Sequence, residues 1–328
     1  PEEKVLRIYP QKNLFSPIIG QIDNDNIGIS GLEKSLNDLL VKSRKPIRLT
    51  VDKDIQFLIR EELMKYQEIF KSKGSASILM DIHNGNILSL VSLPDFDPNK
   101  RQNLSDVNYI NRVTKGTYEL GSVFKAFTFA SALNEKLIKP ETEFLDLPKS
   151  INCYGFPIRE YDNEIPSNLT AEQIFIRSGN IGSVRIAQKV GPEKFKSFLE
   201  KIGVLSDIQF DIEEVAPQKN YNFGKCKLAT ASFGHGVATT ILQLAKGYAI
   251  LSNGGYDIKP TLIQKNSQRN TKKKRLLNQS VSEQVVDALR KIVELGRSAR
   301  NKSNQKIRQP LKKALYAIEN DETSLFIE

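Results

Sequence analysis

Hydrophobic positions recur along this chain with two periods, and the switches between them predict the elements. Ile55, Leu58, Ile59, Leu63, Tyr66 and Phe70 fall at helical spacing. They predict an amphipathic helix from about residue 52, with Thr50 and Asp52 as candidate N-caps. Ahead of it, residues 1–50 are punctuated by Pro, Asn-Asp and Gly, and Leu32, Leu36, Leu39 and Leu40 mark a short helical pattern. That stretch reads as a small module or linker. After the helix come two β-rich runs, SASILMDI (75–82) and ILSLVSL (87–93), on either side of HNGN. Asn84-Gly85 suits a tight hairpin turn. The long apolar runs predict strands covered on both faces.

A polar loop, 94–118, leads into a second half that is mostly helical. Phe124, Phe127, Ala130 and Leu133 line one side of a helix after Gly121. Thr170 with Gln173 makes a capping box for a helix ending near Arg177. Ser178-Gly179-Asn180 interrupts, and a helix resumes through Val190. Gly191 stops it and Pro192 starts another. Residues 239–252 form a further helix, capped by Thr239 or Thr240, with Ile241, Leu244, Ala245, Tyr248 and Leu251 facing the core. Asn253-Gly254-Gly255 ends it before a strand-like YDIKPTLIQ. A hairpin, many helices and late strands give an α+β class, with helices on both faces of one sheet.

Composition narrows the possibilities modestly. A chain of 328 residues with 39% hydrophobic content can bury a large core. The net charge of +10 is concentrated in 265–313. No aromatic residues interleave with that basic run in the manner of nucleic-acid modules, so it reads as a solvated surface. Cys153 and Cys226 lack CxxC spacing and suggest neither a disulfide framework nor a zinc site. No window of about 18 apolar residues is present to span a membrane, and there is no signal peptide. The chain opens on Pro1, which reads as a piece of something longer.

The candidate chemistry is nucleophilic. His83 sits in the predicted hairpin turn, and His235, the only other histidine, lies in FGHG (233–236). A Ser-His-Asp triad therefore has little material. HExxH, CxxC, Walker and GxGxxG patterns are absent, so neither a metal nor a nucleotide cofactor is expected. Ser-x-x-Lys remains. On a helix, Ser122 and Lys125 share a face, and a desolvated lysine can take a serine proton. Ser122 at a helix start also gains backbone N–H groups that favour developing negative charge. Roughly two or three such matches are expected by chance, and Ser303-Asn-Gln-Lys306 is a second, in a polar stretch. On local context Ser122 is either a nucleophile or one turn of an ordinary helix. Ser178-Gly179-Asn180 is likewise either a helix break or a loop presenting a hydroxyl and a carboxamide to a cleft.

Both motifs in this order, about fifty residues apart, resemble the penicillin-binding and serine β-lactamase superfamily. GISGLEKSLNDLL, RLTVDKDIQFLIREEL, MDIHNGNILSLVSLPDFDPN, NRVTKGTYELGSVFKAFTFASAL, FIRSGNIGSVRIAQKVG and FGHGVATTILQLAKGYAILSNGGYDIKPTLI follow one another here. Together they resemble a class B penicillin-binding protein, most closely the division-specific type. The elongation-specific type is the near alternative. The resemblance implies a transpeptidase fold with an antiparallel sheet flanked by helices. It implies Ser122 as acylated nucleophile, Lys125 as its base, Ser178 as proton relay and Asn180 as the amide holder. Gly179, Gly234, His235 and Gly236 would line the substrate site, and the Ser122 N–H would form half an oxyanion hole. It further implies stem peptides ending in D-Ala-D-Ala and lipid-linked wall precursors as substrates, and β-lactams as inhibitors. The implied partners are a glycosyltransferase and other division proteins, with no nucleic acid. The implied place is the periplasmic face of the inner membrane, held by an N-terminal anchor outside this chain.

The family's third motif, Lys-Thr/Ser-Gly on a strand lining the cleft, does not occur in the 328 residues. The resemblance fades near residue 296, where RSARNKSNQKIRQPLKKALYAIENDETSLFIE follows with little strand pattern. The expected organisation is residues 1–48 as the end of an N-terminal module and 49–296 as an incomplete transpeptidase domain lacking its last strands. The remaining 297–328 would be an atypical tail read out of frame or truncated. A non-catalytic scaffold that keeps the fold is the competing function, and a D,D-carboxypeptidase or β-lactamase a third.

Overall fold

The computed structural model describes residues 6–43, 45–100, 109–212, 216, 221–264, 273–302, 314–319 and 322–327, the last two segments as backbone. In chain order the helices begin with α1 (Ser16–Ile19), α2 (Gly31–Ser35), α3 (Asn37–Lys42) and α4 (Lys53–Ile69). Strands β1 (Ser75–Met80), β2 (Ile87–Leu93) and β3 (Thr117–Glu119) follow, then a 3-10 turn (Gly121–Phe124) and α5 (Lys125–Asn134). Next come β4 (Glu143–Phe144), β5 (Ser150–Cys153), β6 (Phe156–Arg159), β7 (Leu169–Thr170), α6 (Ala171–Ile176), α7 (Asn180–Val190), α8 (Pro192–Lys201) and α9 (Lys225–Ala231). The chain closes with β8 (Ala238–Thr240), α10 (Ile241–Ser252), α11 (Gln279–Lys302), β9 (Ala314–Glu319) and β10 (Glu322–Ile327). The α+β class stands. No described helix is long and apolar enough to cross a membrane.

Two compact units divide the chain. The first comprises Pro1–Tyr118, Glu200–Lys219 and Thr239–Lys274. Its hairpin forms as the sequence predicts, with β1 and β2 antiparallel from Ser75↔Leu93 to Met80↔Ile87. β2 is almost wholly buried, but β1 is only partly covered, so the expectation of two doubly covered strands holds for one. Ile18, Leu32, Ile87, Leu90, Val113, Leu242 and Leu262 make the core. Asp52 is the α4 cap, accepting from Asp54 and Ile55 N–H at 3.0 Å each. Thr50 instead donates its hydroxyl to Ile87 O at 2.7 Å. α4 docks through a residue that periodicity overlooked. Gln56 is fully buried, donates to Leu14 O and Leu90 O, and accepts from Ser89 Oγ and Leu90 N. Leu58 and Phe70, assigned to the apolar face, lie exposed.

α10 begins at Ile241, not 239. Thr240 forms the capping box with Gln243, and Thr239 donates to Val204 O at 2.8 Å. The strand-like YDIKPTLIQ makes only single bridges, Thr261 to Asn86 and Ile263 to Leu49. Pro260 supplies no N–H there, and the Asp211 carboxylate takes the Leu262 N–H and the Thr261 hydroxyl, both at 2.7 Å. Backbone bonds still flank the segment, Thr261 with Gly85 O and Ile87 N on one side and Thr50 N to Leu262 O and Gln264 N to Arg48 O on the other, so the carboxylate supplements a short ladder.

The second unit comprises Glu119–Leu199, Asn220–Ala238 and Arg275–Glu328. Its centre is α5. Every residue from Lys125 to Leu133 is buried, so the helix is enclosed all round rather than along the one side its spacing marks. α6, α7 and α11 pack against it, and Phe129 stacks on Phe175 of α6 with ring centroids 5.3 Å apart. The Thr170–Gln173 capping box forms. Ladders β4–β7, β5–β6 and β9–β10 are each two-stranded and separate from β1–β2, so the described strands do not merge into the single sheet expected.

Two expectations need correction. Cys153 of β5 and Cys226 of α9 form a disulfide, with Cα atoms 5.6 Å apart. Spacing in sequence carries no information about a bridge whose ends are 73 residues apart. The tail, expected to hold little strand, forms the antiparallel hairpin β9–β10. Neither strand contains a glycine, and they pair with each other. The second Ser-x-x-Lys, Ser303 to Lys306, lies outside the described residues, as do 265–272 and 303–313 of the basic run.

Candidate active site

Ser122 is the second residue of the 3-10 turn, exposed, and Lys125 opens α5. The Lys125 N–H donates to Ser122 O and closes the turn. In 3-10 geometry residues i and i+3 eclipse, so the two stack along one side of it. Their surroundings differ sharply. Lys125 is 2% exposed, next to the fully buried rings of Phe124 and Phe127. Its Nζ donates to Ser178 Oγ at 2.8 Å and to the Ser178 backbone carbonyl. Burial pushes the amine down to about 8 from its ordinary 10.5, against the opposing charge of Glu160. At neutral pH roughly one such amine in ten carries no proton.

Ser178 sits at φ +55°, a left-handed conformation uncommon for a residue with a side chain. It ends α6, with Ser178 N–H on Phe175 O and Gly179 N–H on Ile174 O at 3.0 Å each. Gly179 is the N-cap of α7 and Asn180 its first residue. The segment is therefore a helix break, and the break is what brings the Ser178 hydroxyl onto the lysine amine. Asn180 Nδ2 donates to Arg159 O at 3.0 Å.

The FGHG segment reaches the same place from α9. Gly234, at φ +80°, packs so tightly that an added Cβ would lie 2.1 Å from Gly121 O, beside Ser122. Thr128 of α5 donates to Ser232 O at 2.7 Å and fixes that approach. Gly236 is also left-handed, at φ +74°. His235 between them points outward, its Nδ1 3.0 Å from Glu119 Oε2, both side chains substantially exposed. His83 is an exposed turn residue.

All eight site residues predicted from sequence thus fall in the second unit. Ser122, Lys125, Ser178, Gly179 and Asn180 are joined through the turn, the lysine contacts and the helix break. Gly234 joins them by backbone packing on Gly121, while His235 and Gly236 flank that contact. Two groups escaped the sequence reading. Glu119, three residues before Ser122, holds His235. Glu160 accepts the N–H groups of Asn180 at 2.6 Å and Ile181 at 2.9 Å. Neither has a local signature, because a carboxylate capping a helix from 20 residues away leaves no spacing to read.

Comparison with known proteins places the chain in a family. The family described as penicillin binding protein transpeptidase domain matches residues 75–312, beyond the point near 296 where the resemblance read from the sequence fades. A Caulobacter vibrioides protein named probable peptidoglycan D,D-transpeptidase FtsI is 30% identical over 269 residues, covering 80% of this chain and 45% of that protein. A Neisseria meningitidis protein named probable peptidoglycan D,D-transpeptidase PenA is 28% identical over 331 residues, covering 90% and 55%. The chain spans about half the length of these curated relatives. Among solved structures, penicillin-binding protein 3 from Mycobacterium tuberculosis superposes with a TM-score of 0.77 at 23% identity, over 88% of this chain and 69% of that one. The transpeptidase domain of Burkholderia pseudomallei penicillin-binding protein 3 gives 0.65 at 25%, over 74% and 69%. With the matched residues running through the turn, the buried lysine and the helix break alike, the chain belongs to the penicillin-binding protein transpeptidase family.

Proposed function

We propose that this chain carries the acyl-transfer centre of a peptidoglycan D,D-transpeptidase of the septal type. The observation that carries the reading is Lys125. It is a buried amine held on the Ser178 hydroxyl at 2.8 Å and lowered to about 8, one 3-10 turn from an exposed serine. Burying a lysine in an apolar surround costs stability and favours its neutral form, the form able to accept a proton.

In the proposed reaction Ser122 Oγ attacks the carbonyl between the two terminal D-alanines of a stem peptide, and Lys125 Nζ takes its proton. The C–N bond breaks, the proton passes through Ser178 Oγ to the departing amine, and D-alanine leaves. An amine of a neighbouring stem then attacks the acyl-enzyme, its proton returns through the same pair, and Ser122 is regenerated. Asn180 orients the donor peptide's amide, while Gly179, Gly234, His235 and Gly236 border the cleft. The Ser122 N–H stabilises the oxyanion.

Lipid-linked precursors as substrates, β-lactams as acylating inhibitors, a glycosyltransferase and other division proteins as partners, and a membrane-anchored periplasmic setting belong to this proposal. The relatives named FtsI and PenA support it, as does a structure of the M. tuberculosis protein complexed with ampicillin. The Cys153–Cys226 disulfide suits an oxidising compartment. We place residues 1–48 in an N-terminal module, 49–296 in the transpeptidase domain and 297–328 in a distinct tail.

A second reading, a penicillin-binding-like scaffold that does not turn over, is favoured by one observation. The Lys-Thr/Ser-Gly triplet does not occur in these 328 residues, and an oxyanion-hole donor of the kind it carries contributes about 3 kcal/mol to the transition state. Fluorescent penicillin separates the two. Covalent labelling of the native chain, abolished in Ser122→Ala, is expected. A folded native chain that takes no label sinks the transpeptidase reading.

A further inference from the structure

Glu160 follows β6 directly and closes the start of α7. Its Oε2 accepts the Asn180 N–H at 2.6 Å and its Oε1 the Ile181 N–H at 2.9 Å. One carboxylate thereby satisfies two of the N–H groups that a helix start leaves orphaned, and its charge suits the helix dipole there. Arg159, the last residue of β6, takes the Asn180 carboxamide N–H. The β5–β6 hairpin that delivers both is anchored to α9 by Cys153–Cys226. The Ser178–Ile181 backbone is thus held from a hairpin about twenty residues upstream.

We propose that Glu160 is a positioning residue for the acyl-transfer centre, fixing the start of α7 and with it the Ser178 hydroxyl on Lys125 and the Asn180 carboxamide. The role in catalysis rests on the transpeptidase reading above. The same carboxylate raises the proton affinity of Lys125 against its burial. The buried Arg177 at the end of α6 also adjoins Ser178, while several charged groups on the helices around α5 are engaged elsewhere. Glu172 of α6 pairs with Lys291 of α11, Arg185 of α7 donates to Gln188, and Lys189 lies over the Phe144 ring.

Two variants separate charge from reach. Glu160→Gln keeps the length, removes the charge and turns an amide N–H toward one of the two donors. Glu160→Asp keeps the charge and withdraws it by one methylene. In Glu160→Gln the rate constant for acylation by fluorescent penicillin is expected to fall at least tenfold. The midpoint of its rise with pH moves down, because losing a nearby negative charge favours the neutral amine. In Glu160→Asp the rate falls less and the midpoint stays. A merely structural role would lower the melting temperature and leave the midpoint unmoved. Acylation by Glu160→Gln within twofold of native, with an unmoved midpoint, overturns the proposal.

Amide hydrogen exchange at Asn180 and Ile181, and NMR titration of the Lys125 amine, read the same positioning without penicillin. Faster exchange and a lower titration midpoint in Glu160→Gln are expected, and native values for both overturn the proposal. If the native chain takes no penicillin while both readouts shift, the transpeptidase reading fails and the hold of Glu160 on the loop stands. Should Glu160→Gln not fold, exchange in Glu160→Asp decides: faster at both amides supports the proposal, native rates overturn it.

Discussion

The contact between Gly234 and Gly121 makes a prediction whose size can be worked from the structure. In Gly234→Ala the new Cβ would lie 2.1 Å from Gly121 O, against ordinary contacts that begin at 3.4 Å. The backbone must open by about 1.3 Å, a shortfall set by those two distances. No side chain can rotate away, because the obstructing atoms are all main chain of Gly121. Gly121 directly precedes Ser122, so the displacement is delivered to the attacking hydroxyl. Misplacing a reacting group by about 1 Å costs on the order of a hundredfold in rate. The left-handed φ of +80° adds about 1 kcal/mol of strain for alanine. Gly191→Ala is the control for backbone strain without a clash. Its φ is +82° and ψ 160°, a region essentially confined to glycine, yet nothing lies within 4 Å of its added Cβ. Both variants should lose stability. Only Gly234→Ala should lose acylation by fluorescent penicillin, by roughly a hundredfold. Gly234→Ala acylating within threefold of native would refute the inference that FGHG sets the position of Ser122.

Lys125 also leaves a stability signature. Its folded value of about 8 lies below its ordinary 10.5, so between those pH values the unfolded chain binds more protons and stability rises with pH, by about 3 kcal/mol in all. Below pH 8 the penalty is fully present. Urea titrations across pH 8 to 10.5 should show this rise in the native chain relative to Lys125→Met, and parallel curves would contradict it. Reducing Cys153–Cys226, which closes a loop 73 residues apart in sequence, should lower stability by about 4 kcal/mol on chain-entropy grounds. A urea midpoint unchanged by dithiothreitol would count against the bridge.

What the amino-acid sequence determined by itself is local. The helix starts near Asp52, Thr170 and Thr240 were legible because a capping oxygen reaches an N–H only two or three residues away, though Thr50 and Thr239 remained equal candidates until the structure engaged them elsewhere. The hairpin 75–93 follows from two apolar runs and one turn. Ser122, Lys125 and Ser178-Gly179-Asn180 could be named because their spacing and flanks resemble a known family. Tertiary structure decided everything that depends on distant partners. It enclosed α5 on all sides, where periodicity marks one face, because α6, α7 and α11 converge on it. That enclosure is what lowers the Lys125 amine, and the left-handed turn at Ser178 is what gives the amine a hydroxyl to hold. It paired Cys153 with Cys226, and it set Glu160 on the start of α7. Periodicity reports which face of an element is apolar. Desolvation, charge and hydrogen-bond reach depend on what the folded chain places within a few ångströms, and no spacing in the sequence carries that.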